Sequence, residues 1–338
     1  MVTYSIKSII DYYLMSSSPV YVCYLDASKA FDRIDYWYLF YRLLDCKVSK
    51  ILVRFLMLWY CSQEFLVRWG TQLSAPFLVS NGVRQGGILS PYLFNTYMND
   101  LSTELNCMTA GCMFNGMLYN HLMYADDMVL LAPSISGLQK LLEKCSEFAS
   151  SHPILYNIKK TVCMCFRPLV LKCKFDPIVM LSGKQIRCVT SHKYLGVYIT
   201  ENQKDDTSIE HQMKNLYIRG NMIIRNFKHC CESVKCQLFK SFCTSFYCSP
   251  LWCYFNVESL RRFKVAYNRI FRILLCLSHR TSMSFSFITR SLDPFQVLLR
   301  KAVGSLRKRL YATDNALVKN IMSSQYFTFS KRNGTNLF

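Results

Sequence analysis

Asn120-His121-Leu122-Met123-Tyr124-Ala125-Asp126-Asp127-Met128-Val129-Leu130-Leu131-Ala132 sets two apolar runs on either side of a pair of carboxylates. Strand-forming residues flanking so short a polar break predict a tight β-hairpin with the acids at its tip. Two adjacent carboxylates repel, and these interrupt the greasiest strands of the chain. A third acid has a similar setting. Val20-Tyr21-Val22-Cys23-Tyr24-Leu25 is rich in β-branched and aromatic residues, reads as a buried strand, and ends in Asp26. Three such acids on neighbouring strands of one sheet make a cluster that only cations neutralise. An oxygen-only set suits Mg²⁺, and two such ions side by side can activate a hydroxyl and hold a leaving oxygen in phosphoryl transfer. An Asp at a turn also serves as an ordinary turn residue, and paired carboxylates also serve glycosidases. Adjacent tip residues project to different faces, which fits a sugar bond poorly. Spacing alone therefore reaches metal-dependent phosphoryl chemistry and names no reaction.

The flanking sequence supplies the rest of an α+β region. Residues 4–15 read as a helix that ends in Ser16-Ser17-Ser18-Pro19. From Asp35 to about Ser62 come two apolar helical segments, the second carrying Ile51, Leu52, Phe55, Leu58 and Trp59 on one face. Strand-like pieces at 64–69 and 75–80 precede a glycine-bearing loop, Asn81 to Gly87, and a helix that starts near Ser90-Pro91. A helix at about 135–150 and further strands extend to 200. Beyond 205 the pattern is helical throughout. Ile209, Met213, Leu216, Gly220, Ile223 and Phe227 repeat on one helix face, with Lys214, Arg225 and Lys228 opposite. A domain boundary falls near 200.

Composition excludes several classes. With 51% apolar and 18% charged residues in 338, the chain has material for a sizeable core and too little charge for disorder. No apolar run approaches the roughly 18 residues of a membrane span. Asp11 interrupts the one apolar run near the start, which argues against a signal peptide, so an intracellular location, nuclear or cytoplasmic, is expected rather than secretion. The net charge of +20 is uneven: 19 basic against 13 acidic residues up to 199, and 22 against 8 from 200 onward. Such an excess points to a polyanionic partner, because Lys and Arg release counterions from phosphates. The 17 cysteines contain no C-x-x-C and no Cys/His set at zinc spacing, so they read as inert, mostly buried thiols.

At this point the motifs carry a resemblance. Tyr24-Leu25-Asp26-Ala27-Ser28-Lys29-Ala30-Phe31-Asp32 resembles motif A of the reverse transcriptases of non-LTR (LINE-type) retrotransposons. Gly82-Val83-Arg84-Gln85-Gly86-Gly87-Ile88-Leu89-Ser90-Pro91 resembles motif B, and Tyr124-Ala125-Asp126-Asp127 motif C. Asn157-Ile158-Lys159-Lys160-Thr161 resembles motif D, and Lys193-Tyr194-Leu195-Gly196 motif E. The four-residue motif C is weak alone. Five motifs in order across residues 20–200 are specific.

The resemblance implies a right-hand polymerase palm over 20–200, an antiparallel sheet with packed helices, followed by an all-α thumb-like domain over 201–325. Residues 1–19 would be a remnant of a fingers helix and 326–338 a flexible tail. It implies that Asp26, Asp126 and Asp127 bind two Mg²⁺ ions, or Mn²⁺ in their place, with the Ala27 carbonyl as an extra ligand. Phe31 would sit beneath the incoming sugar and exclude a ribose hydroxyl. Arg84, Gln85 and Gly86 would lie against the new base pair, with Gly86 and Gly87 admitting a close backbone approach. Lys160 would protonate the departing pyrophosphate, with Lys159 its competitor for that role. Tyr194, Leu195 and Gly196 would grip the primer end. Lys214, Arg225 and Lys228 would face the nucleic-acid backbone, and Arg307-Lys308-Arg309 would touch nucleic acid or act as an import signal. The implied partners are an RNA template, a DNA primer and deoxynucleoside triphosphates.

Relatives carry a fingers region before motif A, whereas Asp26 here follows only 25 residues, so an N-terminally truncated form is expected. Two functions stay open. One is an RNA-directed DNA polymerase; the other is an inactive retroelement product that only binds nucleic acid.

Overall fold

The computed structural model describes residues 1–168 and 176–324. The expected tail, 326–338, lies outside them. In chain order the first elements are α1 (Val2–Met15), β1 (Val20–Asp26), α2 (Tyr36–Asp45), α3 (Lys50–Cys61) and four short strands, β2 (Glu64–Phe65), β3 (Arg68–Trp69), β4 (Gln72–Leu73) and β5 (Phe77–Leu78). There follow α4 (Ser90–Asn106), β6 (Cys112–Phe114), β7 (Met117–Tyr119), β8 (His121–Tyr124), β9 (Asp127–Ala132), α5 (Ile135–Ser151) and β10 (Val162–Phe166). The strands β11 (Met180–Leu181), β12 (Lys184–Gln185), β13 (Arg187–Cys188), β14 (Ser191–Tyr194) and β15 (Val197–Thr200) lead into helices. These are α6 (Asp206–Asn226), α7 (Glu232–Cys243), α8 (Val257–Leu274), α9 (Met283–Ile288), α10 (Phe295–Tyr311) and α11 (Ala316–Ser323).

The chain divides into two compact units. One is essentially residues 9–189; the other joins residues 3–8 to everything from Thr190 onward. The division therefore falls about ten residues before the boundary near 200 that the loss of strand pattern suggests, because the hairpin β14–β15 belongs with the helices. No helix among the described residues is long and apolar enough to cross a membrane.

The first unit is α+β. Its sheet runs β13-β10-β1-β9-β8. The four strands from β10 to β8 are antiparallel neighbours, and β13 adds to β10 in parallel, so the sheet is mixed rather than purely antiparallel. Val129 to Ala132 and Val162 to Phe166 are buried throughout, as runs without polar alternation require in strands covered on both faces. Helix α5 covers β1 and β9 with Leu138, Leu141, Leu142, Cys145 and Phe148, the side of a helix repeating every three to four residues. It begins where Ser134 accepts a hydrogen bond from the Gly137 amide at 3.1 Å. Asp35 caps α2 likewise, accepting from the Tyr38 amide at 2.8 Å.

Helix α3 departs from expectation. Its buried residues are Val53, Leu56 and Tyr60, and the face formed by Ile51, Leu52, Phe55, Leu58 and Trp59 is the exposed one. The segment is apolar all round, so periodicity does not choose which side packs. The cysteines are also less uniformly buried than expected: Cys46, Cys61, Cys107, Cys231 and Cys276 are exposed, and no described cysteine is in a disulfide.

The second unit is helical apart from β14 and β15. Its core is aromatic, with Phe239, Phe263, Tyr267, Phe271, Phe287 and Phe295 in mutual ring contact. Helices α6 and α8 pack closely at Gly220, where a Cβ would lie 2.5 Å from Ile270 Cγ2. One buried ion pair, Lys7 with Asp205, joins the two sequence pieces of this unit. Its charges are fully engaged: Lys7 also donates to the Leu251 carbonyl at 3.0 Å, and Asp205 accepts from the amides of Cys253 and Tyr254 at 2.7 and 3.1 Å. A buried pair persists only with such additional bonds.

Candidate active site

Asp26 ends β1 and Asp127 begins β9, and the antiparallel register pairs them directly. Side chains of paired residues share a face, with roughly 4.5–5.5 Å between their Cβ atoms. Asp126 occupies the two-residue turn with Ala125, closed by the Tyr124–Asp127 pair. The hairpin therefore differs slightly from its sequence reading: one acid is in the turn and the other already in the strand. Ala125 turns the chain at φ +53°, a left-handed conformation that L-residues rarely adopt.

The crowding of charge is felt at Asp127. Burial, then the neighbouring charges of Asp126 and Asp26, push its carboxyl above the ordinary value. Among the described residues no group of three His, Cys, Asp or Glu side chains is arranged to hold a metal ion. The paired carboxylates of Asp26 and Asp127 are nevertheless hard oxygen donors, the chemistry that fits Mg²⁺ when water and substrate phosphates complete the shell.

A turn from Asn157 to Thr161 braces Asp26. The Asn157 amide donates to the Asp26 carbonyl at 2.8 Å, and the Asp26 amide donates to Thr161 Oγ1 at 3.2 Å. The Asn157 side chain accepts from the amides of Lys159 and Lys160 at 3.1 and 3.3 Å, holding the turn. Lys160 Nζ lies 3.9 Å from Asp26 Oδ2, with the lysine largely exposed. Ala27 forms an isolated antiparallel bridge with Tyr156, so its backbone is tied to the same segment.

Phe31 lies in a short 3₁₀ turn, Ala30–Arg33, and stacks on Phe94 with ring centroids 4.7 Å apart. The loop before α4 docks on that turn. Amides of Gly82 and Val83 donate to the carbonyls of Ile34 and Phe31 at 2.8 and 2.7 Å. Here the close approach falls at Gly82, φ +89°, where a Cβ would meet the Asp32 backbone at 2.7 Å. Gly86 has φ +83° and open space around it; Gly87 faces Ser90 Oγ. Arg84 is committed locally, donating from Nε to Gln63 Oε1 at 2.8 Å and lying over the Phe65 ring at 5.3 Å. Gln85 reaches Asp32 Oδ1 at 3.4 Å.

A polar network on β8 was not legible beforehand. Asn120 donates to the Leu105 carbonyl at 2.6 Å, so its carbonyl oxygen faces His121 Nδ1 at 2.7 Å and accepts from it. Ser102 Oγ then donates to Nε2 at 2.7 Å, which describes a neutral imidazole. Burial lowers the His121 pKa to about 4.

The remaining residues singled out from the sequence belong to the helical unit. Tyr194 is buried at the end of β14, and Leu195 (φ +44°) and Gly196 (φ +78°) form the turn into β15. A Cβ on Gly196 would meet Tyr247 Cε1 at 2.7 Å. Lys214 and Arg225 are exposed on α6, but Lys228 lies past its end at Asn226, with Phe227 as the capping residue. The stripe is therefore a helical face for two of its three members.

The family model described as reverse transcriptase (RNA-dependent DNA polymerase) matches residues 4–199. An uncharacterized 149 kDa protein of transposon TX1 from Xenopus laevis is 30% identical over 139 residues, 40% of this chain and 11% of that protein. The RNA-directed DNA polymerase from mobile element jockey of Drosophila funebris is 25% identical over 214 residues, covering 60% of this chain and 22% of the relative. The Pol polyprotein of a type-2 retrotransposable element of Drosophila melanogaster is 32% identical over 140 residues, 41% of this chain and 13% of that polyprotein. The chain thus spans less than a quarter of the length of these relatives.

Proposed function

The chain belongs to the reverse transcriptase (RNA-dependent DNA polymerase) family and is related to the enzymes of non-LTR retrotransposons; on that premise we propose that it extends a DNA primer on an RNA template, using the Asp26–Asp126–Asp127 end of its sheet. The observation that carries this reading is the register pairing of Asp26 with Asp127, beside Asp126, with Asp127 held above its ordinary pKa first by burial and then by the charges of Asp126 and Asp26. Such repulsion at a sheet end disfavours folding and is relieved when a cation binds.

In this reading Mg²⁺, when bound, supplies the Lewis acid that makes the primer 3′-hydroxyl a nucleophile and neutralises the triphosphate. The chain's own groups do the rest. Asn157 and Thr161 hold the Asp26 backbone, fixing the direction of its carboxylate. Lys160, whose Nζ lies 3.9 Å from Asp26 Oδ2, is in this reading the group that hands a proton to the departing pyrophosphate. Phe31 limits room at the sugar because its ring is stacked on Phe94 and backed by the loop that starts at Gly82. Arg84 and Gln85 border the template base, and Tyr194, Leu195 and Gly196 hold the primer end. In the motif B loop Gly82 and Gly86 both hold a positive φ that favours glycine; Gly82 also packs against the Asp32 backbone, and Gly86 leaves space that a base pair can occupy.

The test is addition of one deoxynucleotide to a DNA primer on an RNA template with Mg²⁺, for the parent chain and Asp126→Asn. Extension by the parent, reduced by about two to three orders of magnitude in the variant, is expected. Primer–template binding with no extension by either protein would instead support a nucleic-acid-binding product without synthesis.

A further inference from the structure

Three cysteines lie side by side across the sheet of the first unit. The register pairs Cys188 of β13 with Cys163 of β10, and Cys163 with Cys23 of β1. Paired residues on neighbouring strands project to the same face, so the thiols form a row from the sheet edge toward its centre. Exposure falls along that row. Cys188, on the edge strand, is half-buried, whereas Cys163 and Cys23 are fully buried.

Inertness describes Cys23, whose thiol burial pushes well above the ordinary value. The outer two differ, because they bond each other. The Cys163 thiol donates to the Cys188 sulfur, which raises Cys163 and holds Cys188 below the ordinary thiol value. A thiolate beside a protonated thiol lets one sulfur attack an oxidant and the other resolve the product. The backbone also suits a bond between them. The Val189 amide donates to the Cys163 carbonyl at 2.9 Å and fixes the register. Adjacent strands lie roughly 4.7–4.9 Å apart, inside the ~4.4–6.8 Å of Cα separation that a disulfide spans.

We propose that Cys188 and Cys163 form a reversible oxidation site for hydroperoxides. With hydrogen peroxide, the Cys188 sulfur forms an S–O bond as the O–O bond breaks, and the hydroxide released takes a proton from solvent to become water. The Cys163 sulfur then displaces the new hydroxyl. An S–S bond forms, the S–O bond breaks, and the Cys163 proton leaves with the hydroxyl as a second water. Two thiols are oxidised to one disulfide while one peroxide is reduced to two waters, and a thiol reductant reverses the change by exchange. The consequence is mechanical. β13 is a two-residue edge strand just before the chain enters the second unit at Thr190, and the disulfide ties it to the interior of the sheet. The inference does not rest on the polymerase reading, because it uses none of that site's residues.

The full chain is treated with equimolar hydrogen peroxide, its remaining thiols are blocked with N-ethylmaleimide, and its peptides are mapped by mass spectrometry with and without dithiothreitol. The expected product is a peptide pair joined through Cys163 and Cys188 and lost on reduction. Its formation is expected to be about tenfold faster than oxidation of the exposed Cys46, Cys107 or Cys276. In Cys163→Ala, Cys188 is expected to stop at the sulfenic acid, which dimedone captures. In Cys188→Ala, the buried Cys163 is expected to remain a thiol. The linked pair is read from the parent chain, so the test survives a variant that fails to fold. Hydrogen exchange at the Cys188 and Val189 amides is expected to slow in the oxidised chain. Oxidation of Cys188 no faster than that of the exposed cysteines, or its linkage to any cysteine other than Cys163, would overturn the proposal.

Discussion

Ala125 concentrates the tension of the candidate site in one residue. A left-handed conformation costs an L-residue about 1–2 kcal/mol, and glycine gives back part of that relief as unfolded-chain entropy. Ala125→Gly is therefore expected to stabilise the chain by a net ~0.5 kcal/mol, read by chemical denaturation. A decrease would mean that the Ala125 methyl makes contacts worth more than the backbone strain. His121 gives a second residue-scale prediction. Its folded pKa of about 4 lies below its ordinary 6.5, so its contribution is complete above pH 6.5 and is lost as pH falls toward 4. The expected slope is about 1.4 kcal/mol per pH unit within that window, and it should flatten in His121→Gln. The motifs marked Asp26, Asp126 and Asp127 in the sequence because acids ending apolar strands are anomalous. Nothing comparable marked His121, whose partner Ser102 comes from a different element, as does Leu105, which holds the neighbouring Asn120. Thr161 was likewise hidden, since its hydroxyl matters only through the amide it meets 135 residues earlier.

At the level of elements, two helical glycines separate packing from propensity. Gly220 faces Ile270, which is itself buried in α8 and has little room to move. Gly304 lies in α10 with nothing within 4 Å of where its Cβ would be. Alanine gains about 1 kcal/mol in a helix interior, whereas overpacking costs about 1–3 kcal/mol. Gly304→Ala is thus expected to raise the melting temperature and Gly220→Ala to lower it; a rise in both would show that α6 and α8 adjust freely. Helix α3 shows the limit of periodicity. A segment apolar on every side carries no information about which side packs, and the side with Val53, Leu56 and Tyr60 is the one buried. Where a helix has one apolar face, as α5 does, pattern and packing agree. The motif B loop obeys the same logic. Its three glycines are equivalent in sequence, and the contact with the Asp32 backbone singles out Gly82.

Over the whole molecule the dominant property is charge, +20 in total and weighted toward the helical half. Each phosphate neutralised by the chain contributes about −0.9 to the slope of log affinity against log salt on duplex nucleic acid. A slope steeper than about −3 is expected for the parent chain, measured by titration at several salt concentrations. A flat dependence would mean that the basic residues serve solubility alone. Charge asymmetry, strand runs ending in acids, the order of the motifs and the helical repeat beyond 205 were all legible in the chain itself. Each depends on neighbours in sequence, through side-chain period, strand propensity or simple counting. Folding alone paired Asp26 with Asp127, chose the buried side of α3 and moved the hairpin β14–β15 into the helical unit. It also buried Lys7 against Asp205 across 198 residues of chain. Those outcomes depend on which distant groups meet, and a contact energy between distant groups leaves no period in the sequence from which it could be read.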